Sequence, residues 1–584
     1  MASFTCEEAI SLVFHDSESE FDSEGENSSD ESLGNSGDES FDEIEQPTRN
    51  IAIDNLHVVE SNTNDNDFTS FSWEFYSYLD PFESDWLPDY IERPGILVDT
   101  TEFEPVDYFY QYFPEEAFNL IAAETNRYAD QFFDTPVDFS PSSRFHTWTD
   151  TSVDEIKAFV ALQIAMGLCN KPAISDYWNT YWLTTTNFGD VMSRNRFELL
   201  QTFLHFNDVA NQVSKGQDGY KPLFKIQPLL DICNPLYEKV YQPKKCLSID
   251  ESMIKFKGRI FFRQYLPNKP TKWGIKAFVL CESESGYCLK SKIYTGKDCF
   301  ERDSDSLLSD HVVLSLLEGY ENKGHFVFMD NFYSSPILYA KLESKKIGAC
   351  GTVRGNRRGM PKELLQQNIK LKKGDDPVFM RSGNMVACAW HDTKRLTMLS
   401  TIDTNLTVDK EIRSKDHASG HRTVEKPVAV ARYNHSMAGV DRFDQMLGTY
   451  QYPHKSVKWY HTLYHRAKET ALVNAYIVYR KADKQNILDP QRFRQHVING
   501  LLEHWHSNRK RKGRPSIAPL PLRMTGQHFP DKFENKKYKP DCEVCSDRKR
   551  GNRRQTSFCC KQCNVPLCIS PCFERYHTLK QYKM

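Results

Sequence analysis

The chain has 584 residues, of which 39% are hydrophobic and 13% aromatic, so it can build roughly three to four cores rather than one. No apolar run approaches the ~18–20 residues that span a bilayer, and the first residues show no secretory signal, so we expect neither a membrane nor a secreted protein. The net charge of −5 hides a segregation, because residues 1–48 hold 15 Asp or Glu and no Lys or Arg, leaving +10 for the remainder. A basic body of this kind is typical of a protein that binds a polyanion.

Residues 1–84 are predicted to form an acidic, disordered arm. The stretch 16–45 consists mostly of Ser, Gly and acidic residues, and it cannot bury enough apolar surface to offset the entropy lost on ordering. Trp73, Phe75 and Tyr76 are an exception near the end of the arm, because such aromatic side chains indicate a segment that docks onto a folded domain.

Residues 85–245 are predicted to be an all-α domain, because apolar residues recur there at a spacing of three to four. The predicted helices cover 114–133, 152–168 and 193–208. The second of them opens with Ser152 and Glu155, which are placed as a capping box. Such a domain suits dimerisation and DNA binding, and a plain helical scaffold fits the pattern equally well.

At residue 246 the pattern changes to strands, and the predicted fold is an α/β ribonuclease-H-like core. The expected elements are strands over 246–249, 259–265, 274–281, 287–294 and 324–329, then a helix over about 334–346. A meander, a crossover, and then a strand and a helix give the first part of that core over 246–352. A β-rich insertion domain with a hairpin about 391–394 follows over 353–430, and the helical second part covers 431–485.

Four aspartates are the candidate catalytic residues. Asp250 and Asp330 each follow a short apolar strand, and Asp441 and Asp444 lie three residues apart on one face of a predicted helix. Two divalent ions about 3.5–4 Å apart need acidic oxygens from several elements, and together they promote an in-line phosphoryl displacement. Each aspartate alone is more commonly a cap or turn residue. Their combination indicates a two-metal site for Mg²⁺ or Mn²⁺.

A basic stretch lies close to the first of these aspartates and is predicted to bind DNA phosphates. Its members are Lys255, Lys257, Arg259, Lys269, Lys272 and Lys276. Carboxylates that hold metal beside cations that hold phosphate are the combination that a nuclease or a strand transferase needs. The sequence therefore indicates metal-dependent phosphoryl transfer on nucleic acid.

A cysteine-rich domain is predicted over 541–584, because seven of the 16 cysteines fall there while nine are scattered singly. The candidate zinc ligands are Cys542, Cys545, Cys560, Cys563, Cys568, Cys572 and His577. Two Cys-x-x-Cys pairs predict one site of four thiolates. A second site would use the last three ligands with either Cys559 or a ligand exchanged between the sites, and the pairing stays open. A disulfide framework is disfavoured without a secretory signal, and a RING arrangement would lack its last ligand pair.

Residues 486–540 are predicted to be a basic linker with a helix near 490–506. Its basic cluster consists of Arg509, Lys510, Arg511, Lys512 and Arg514. The cluster fits a nuclear-localisation signal, and its Gly-Arg-Pro core also fits an A·T-rich minor groove. From Arg509 onward there are 19 Lys or Arg and 6 Asp or Glu, a net charge of +13. We therefore expect a nuclear, DNA-binding protein, with ordinary solvated surface as the alternative for this tail.

Five stretches of the chain resemble the piggyBac DNA transposases. They are IDESMIKFKGR (249–259), YLPNKPTKWGIK (265–276), FMDNFYSSPILYAKL (328–342), YNHSMAGVDRFDQM (433–446) and KSVKWYHTLYHRAKETALVNAYIVY (455–479). The resemblance covers about residues 85–485 and the cysteine-rich end. It implies Asp250, Asp330 and Asp441 as catalytic metal ligands and Asp444 as a fourth acid. It also implies a ribonuclease-H-like core interrupted by an insertion, and an interleaved domain with two zinc ions.

The chemistry that the resemblance implies is cleavage and joining of double-stranded DNA by a homodimer. Water releases a 3′-hydroxyl at the element's end, this hydroxyl forms a hairpin on the opposite strand, and the opened end joins target DNA at TTAA. The alternative is a transposase-derived nuclear protein that binds DNA or chromatin without strand transfer. A third interpretation is a zinc-dependent interaction adaptor. Intact aspartates do not decide whether the chain is an active enzyme.

Overall fold

A computed structural model describes residues 71–76, 86, 89–135, 139–179, 181, 186, 188–267, 269, 271–296, 307–413, 421–482, 486–505, 528–534, 537, 539–548, 550–579 and 581–583. The predicted arm before residue 71 and the basic cluster at 509–514 lie outside the described residues. The chain divides into two units, Met1–Trp505 and His506–Met584. No helix in the described residues is long and apolar enough to cross a membrane.

The strands of the first unit are β1 (Glu74–Phe75), β2 (Gly95–Ile96), β3 (Tyr241–Gln242), β4 (Cys246–Lys255), β5 (Arg263–Tyr265), β6 (Trp273–Glu282), β7 (Cys288–Ile293), β8 (Phe326–Met329), β9 (Gly348–Thr352), β10 (Val378–Ser382), β11 (Met385–His391), β12 (Arg395–Ser400), β13 (Thr407–Arg413) and β14 (His421–Pro427). Ten of them form one sheet in the order β1-β10-β11-β12-β9-β8-β4-β6-β5, with β7 also paired to β6. The other four form two separate pairs, β2 with β3 and β13 with β14.

The ribonuclease-H-like core is the part of this sheet that runs β7-β6-β4-β8-β9. The first three strands of the core are antiparallel, and β4, β8 and β9 are parallel. β6 is buried from Gly274 to Glu282, because its run of apolar residues is covered on both faces. If the five core strands are numbered by their order in the chain, their order across the sheet is therefore 3-2-1-4-5.

The helices of the first unit are α1 (Pro105–Tyr110), α2 (Glu115–Phe133), α3 (Val153–Leu168), α4 (Phe188–Val191), α5 (Arg194–Phe203), α6 (Gln227–Cys233), α7 (Leu236–Val240), α8 (Leu308–Leu317), α9 (Pro336–Ser344), α10 (Val428–Ser436), α11 (Gly439–Thr449), α12 (Trp459–Lys481) and α13 (Pro490–Leu501). The long helix α12 joins the helices to the sheet, and most of its residues are buried. Asn474 in α12 is fully buried, donates to the carbonyl of Cys288 at 2.8 Å and accepts from its N–H at 3.0 Å. These two bonds tie α12 to β7.

Several expected elements differ from the observed ones. The helix predicted over 193–208 ends at Phe203, because Leu204 has a non-helical ψ of 114°. The Ser152 hydroxyl accepts from the N–H of Glu155 at 3.2 Å, which is one half of the capping box expected at the start of α3. The Glu155 carboxylate instead accepts from the Thr151 hydroxyl at 2.8 Å and pairs with Arg196. The strands β10, β11 and β12 lie in the segment predicted to be an insertion, and they continue the sheet of the core beyond β9.

Residues 71–76 are ordered, although they fall in the predicted disordered arm. Glu74 and Phe75 pair with β10, and the indole of Trp73 donates to the carbonyl of Gly359 at 2.7 Å. The aromatic residues near the end of the arm therefore do form a docked segment, as their side chains indicated.

The second unit has a small three-stranded sheet and one helix. The sheet has the order β15 (Pro530–Lys532), β16 (Phe558–Cys560) and β17 (Val565–Pro566), and the helix is α14 (Cys572–Thr578). Its hydrophobic cluster is small, with Val544, Leu567 and Tyr576 among the buried residues and six cysteines beside them, of which three are buried. A unit of this size with so few apolar side chains needs cross-links or metal to be stable.

Replacement of Asn474 by Leu should destabilise the first unit by about 2–4 kcal/mol. The variant has a similar volume, but it leaves the N–H and the carbonyl of Cys288 buried without a partner. Denaturant unfolding followed by tryptophan fluorescence measures this unit alone, because all nine tryptophans lie between Trp73 and Trp505. Asn195→Leu, on the exposed face of α5, is the control and should change the unfolding free energy by no more than about 0.5 kcal/mol. Equal losses of unfolding free energy in both variants would contradict the role assigned to the two hydrogen bonds between Asn474 and Cys288.

Candidate active site and zinc centres

Two aspartates follow the last paired residues of two parallel strands. β4 and β8 pair from Cys246 and Phe326 up to Ile249 and Met329, and Asp250 and Asp330 are the next residues along each chain. β8 ends there while β4 continues to Lys255. The two carboxylates therefore enter the same space at the point where the strands separate.

A third carboxylate, from Glu251, joins them. One oxygen each from Asp250, Glu251 and Asp330 lie within 4.8 Å of one another. Glu251 was not predicted from the sequence, because side chains alternate along a strand and its neighbour Asp250 already faced the site. The long Glu side chain reaches the cluster past the end of β8. The signal was present in the sequence as a second acid next to Asp250.

Burial controls the charge of this acid cluster. Desolvation and the hydrogen bond with Glu251 raise the pKa of Asp250 to about 7, against the pull of Lys269. Burial also raises the pKa of Asp330, although the N–H of Phe332 donates to its carboxylate at 2.9 Å. For Glu251, burial opposes ionisation, but Lys276 and the hydrogen bond with Asp250 lower its pKa. Without a further cation, the cluster therefore retains a proton near neutral pH.

Two of the predicted phosphate-binding lysines are in contact with this cluster. Lys269 contacts Asp250 at 3.2 Å and donates to the carbonyl of Glu251 at 3.2 Å. Lys276 pairs with Glu251 at 3.1 Å, and only 9% of it is exposed. The structure thus places both ammonium groups on carboxylates. The other four residues of the stretch are exposed, namely Lys255, Lys257, Arg259 and Lys272.

Asp441 and Asp444 lie in α11 but have different surroundings. Asp441 is exposed in the first turn and is not one of the three clustered acids. Its charge nevertheless reaches Lys269, because burial opposes the charge of that lysine while Asp250 and, more weakly, Asp441 raise its pKa. The carboxylate of Asp444 accepts from the hydroxyl of Ser252 at 2.5 Å and contacts Arg466 at 3.3 Å.

The acid cluster fits a divalent cation that prefers oxygen ligands. Three partly buried carboxylates that converge within 4.8 Å repel one another, and two of them have raised pKa values. A hard cation such as Mg²⁺ or Mn²⁺ relieves this repulsion. Asp250 and Asp330 are the residues best placed to hold it, since Glu251 is already paired with Lys276.

The second unit brings together two sets of four zinc-type ligands. Cys542, Cys545, Cys568 and Cys572 form the first set, and His528, Cys560, Cys563 and His577 form the second. In the first set, burial and then the charge of Cys542 raise the pKa of Cys568 to about 11. Four thiols this close are stable as thiolates only with a cation between them. Both sets have the ligand number and type of structural zinc sites.

His577 is held in the orientation that a metal ligand needs. Its Nδ1 lies 2.7 Å from the carbonyl of Phe573 in the same helix, and its Nε2 lies 3.7 Å from the Cys563 sulfur. With Nδ1 donating to that carbonyl, Nε2 carries the lone pair that faces the Cys563 sulfur.

The grouping differs from the one expected for the second zinc site. Cys568 and Cys572 group with the first Cys-x-x-Cys pair rather than with His577, and Cys559 belongs to neither set. The fourth ligand of the second set is His528, which lies in the predicted linker and 3.5 Å from the Cys560 sulfur. Two zinc sites need eight ligands, and without Cys559 the predicted set has seven. This shortage of one ligand was the signal in the sequence for a further histidine or cysteine.

Comparison with known proteins identifies the family. The family model described as "Transposase IS4" matches residues 104–476, which is well over half of the chain. The chain belongs to the piggyBac-type transposase family. A second model, described as a "DDE_Tnp_1-like zinc finger", matches residues 525–578 and includes His528 and both ligand sets. The family and these ligand sets support zinc in the second unit, and the transposase family implies a divalent metal at the acidic site.

Human relatives support the same family. PiggyBac transposable element-derived protein 3 is 27% identical over 435 residues, which cover 73% of this chain and 70% of the relative. PiggyBac transposable element-derived protein 2 is 27% identical over 413 residues, covering 69% and 66%. The solved structure of the piggyBac transposase synaptic complex with hairpin DNA aligns with a TM-score of 0.64 at 22% identity. It covers 84% of this chain and 100% of that one, and it shows a shared fold.

The stability of the first unit should fall as the pH rises from about 4 to about 7. The pKa of Asp250 is about 7 in the folded chain against an ordinary value of 3.8, so in this window the folded state keeps a proton that the unfolded state has lost. The loss is up to about 1.4 kcal/mol of unfolding free energy per pH unit. Asp250→Asn should flatten this slope in denaturant unfolding without Mg²⁺ or Mn²⁺. Asp154→Asn, at an exposed position in α3, should keep the wild-type slope, and equal slopes in both variants would exclude Asp250 as the cause.

The purified chain should contain two zinc ions, and His528→Ala should contain one. The reason is that the two ligand sets are separate and His528 belongs to one of them. Metal analysis by mass spectrometry measures the ratio directly. Cys559→Ser is the matched control and should retain both ions, because the Cys559 thiol lies near the carbonyl of Asp531 instead. Loss of one zinc ion from Cys559→Ser, with both ions retained in His528→Ala, would show that Cys559 and not His528 is the fourth ligand of the second set.

Proposed function

We propose that this chain is a piggyBac-like DNA transposase, or a protein derived from one, that cleaves and joins DNA strands in a metal-dependent reaction. The observation that carries the proposal is the convergence of Asp250, Glu251 and Asp330 where two parallel strands separate. Membership of the transposase family supports the reaction class. The solved relative is a complex with hairpin DNA, which supports double-stranded DNA as the substrate.

In this proposal Asp250 and Asp330 hold divalent metal, and Asp441 completes the site from α11. The metal, when bound, supplies activation of the attacking oxygen and stabilisation of charge on the phosphate. Glu251 positions Asp250, because the two share a hydrogen bond and Lys276 anchors Glu251 at 3.1 Å. Asp444 orients the helix of Asp441, since Ser252 and Arg466 both contact its carboxylate.

Exposed cations near the acid cluster are suited to hold the DNA backbone. Lys255 ends β4, and Lys257, Arg259 and Lys272 lie in the segments that flank β5. These four side chains are exposed and lie at the ends of strands β4 and β6 or on the segments that flank β5. They provide the sequence-independent part of the binding free energy, which weakens as salt increases.

The finer assignments follow from the family. We propose a nuclear homodimer on DNA that acts at TTAA-flanked element ends, with Arg509, Lys510, Arg511, Lys512 and Arg514 as nuclear-localisation signal and additional DNA contacts. The zinc unit contributes further positive charge to DNA binding. The second candidate is a nuclear DNA- or chromatin-binding protein without transposition, which the human transposable element-derived relatives favour.

Cleavage of labelled DNA tests the proposal. The full-length, zinc-loaded chain is incubated with a duplex that carries a candidate terminal repeat next to TTAA, with Mg²⁺ or Mn²⁺. Wild type should nick the duplex and form a hairpin, and Asp250→Asn and Asp330→Asn should each lower the cleavage rate by about 100-fold or more. DNA affinity should be unchanged or higher, because each variant removes a negative charge.

Asp154→Asn is the matched control and should cleave at the wild-type rate, since this carboxylate is exposed in α3. Binding without cleavage by every variant, wild type included, would replace the proposal by the second candidate. A wild-type chain that neither binds nor cleaves any duplex would leave a zinc-dependent adaptor as the better description.

A further inference from the structure

An exposed aromatic pair lies at the end of the sheet opposite to β1. Tyr265 in β5 and Trp273 in β6 are directly opposite each other in the strand register, and their ring centroids are 4.6 Å apart. The exposed fractions are 49% for Tyr265 and 44% for Trp273. Large aromatic side chains usually bury most of their surface in a core or an interface, so this pair has surface available for a ligand.

The pair is held rigidly. The guanidinium of Arg263 lies over the indole of Trp273, 4.7 Å from the ring. Arg263 itself is fixed, because it donates to the carbonyls of Lys257 and Gly258 at 3.0 Å each. A ring that is already ordered loses little conformational entropy on binding, so the pair forms a preformed platform of two rings inclined at 39° to each other.

Positive charge lies on the segments next to this platform. Lys272 precedes Trp273 in the chain, and Lys255 pairs with Gly274, the residue that follows it, so its side chain leaves the other face of the same strand end. Both lysines are exposed, as are Lys257 and Arg259 in the segment that leads to β5. Exposed aromatic rings among Lys and Arg are the arrangement by which proteins bind nucleic acid strands with unpaired bases.

The platform lies on the face of the sheet that also carries Asp250. Asp250 is opposite Val279 in the register, and Val279 and Trp273 are six residues apart in β6, so both point to the same face. Six residues of strand span about 20 Å. That distance corresponds to about six nucleotides of a stacked strand at 3.4 Å each. Ile275 and Ala277 lie between the two on this face and are fully buried, so the connection to the acid cluster is the segment of Lys269, which contacts Asp250 at 3.2 Å.

We propose that Tyr265 and Trp273 stack on an unpaired base of the DNA strand whose backbone reacts at Asp250. The faces of bases within a duplex are covered by their neighbours, whereas an unpaired base offers its face to an aromatic ring. Strand cleavage and joining produce such bases at the DNA ends. This inference rests on the proposed function, since it names the form of DNA that the same site holds.

Binding of matched DNA molecules tests the inference. The full-length, zinc-loaded chain is titrated with a blunt duplex and with the same duplex carrying a short single-stranded tail that contains 2-aminopurine. Wild type should bind the tailed duplex more tightly and quench the 2-aminopurine fluorescence. Trp273→Ala should weaken binding of the tailed duplex by about tenfold and remove the quenching, while affinity for the blunt duplex changes less than about twofold. Trp273→Phe should restore most of both effects.

Phe75→Ala is the matched control, because Phe75 is 64% exposed in β1 at the other end of the sheet. Equal loss of affinity for both DNA molecules in Trp273→Ala, or no preference of wild type for the tail, would overturn the inference. So would a change of oligomeric state in Trp273→Ala with unchanged DNA binding, which would identify a protein interface instead. Tail-dependent quenching in a wild-type chain that does not cleave DNA would support the platform while refuting the proposed catalysis.

Discussion

The parallel pairing of β4 with β8 is the constraint on which the acidic site depends. It stops at Ile249 and Met329, where β8 ends while β4 stays paired with β6. Asp250 and Asp330 are the first residues beyond it, so their carboxylates converge although 80 residues of chain separate them. A register shifted by one residue would turn both carboxylates to the other face of the sheet. The buried apolar strands therefore define the geometry of a polar site.

The cost of this convergence is offset by internal cations. Three carboxylates in a desolvated space are unfavourable, and the chain compensates with Lys269 on Asp250 and Lys276 on Glu251. Lys276 is itself buried between the rings of Phe278 and Phe332, at 4.5 and 4.8 Å from their centroids. Lys269 is less enclosed and also senses the charge of Asp441. One lysine is thus a fixed counter-ion, and the other lies where an added cation would compete with it.

The sequence predicted the features that depend on local pattern. Short apolar strands followed by an acid led directly to Asp250 and Asp330, and Ser152 capped the predicted helix as expected. Glu251 was missed because side chains alternate along a strand, so that a residue next to Asp250 is expected to point to the other face. The position of Asp441 depends on how α11 packs on the sheet, and no local pattern determines that. The continuation of the sheet through β10 to β12 was also hidden, since edge pairing between distant strands leaves no periodic signal.

The zinc ligands also show that local sequence pattern does not determine which distant residues come together. Spacing within a Cys-x-x-Cys pair is local and was read correctly, but the choice of partners for each pair is set by the fold of the whole unit. Cys568 and Cys572 lie near the first pair because the chain returns past it before α14. His528 reaches the second set from a segment whose composition resembles a linker. Ligand number was a stronger guide than spacing, since a tetrahedral ion requires four partners.

One short connection links the acid cluster to the aromatic pair. Lys269, which contacts Asp250 at 3.2 Å, lies between Tyr265 at the end of β5 and Trp273 at the start of β6. The connection is closed by the N–H of Leu266, which donates to the carbonyl of Lys272 at 2.8 Å. A cation that displaces Lys269 from Asp250 therefore acts on the segment that holds both rings. In this chain one lysine of the β5–β6 connection links the charge of the acids to the segment that carries the aromatic pair.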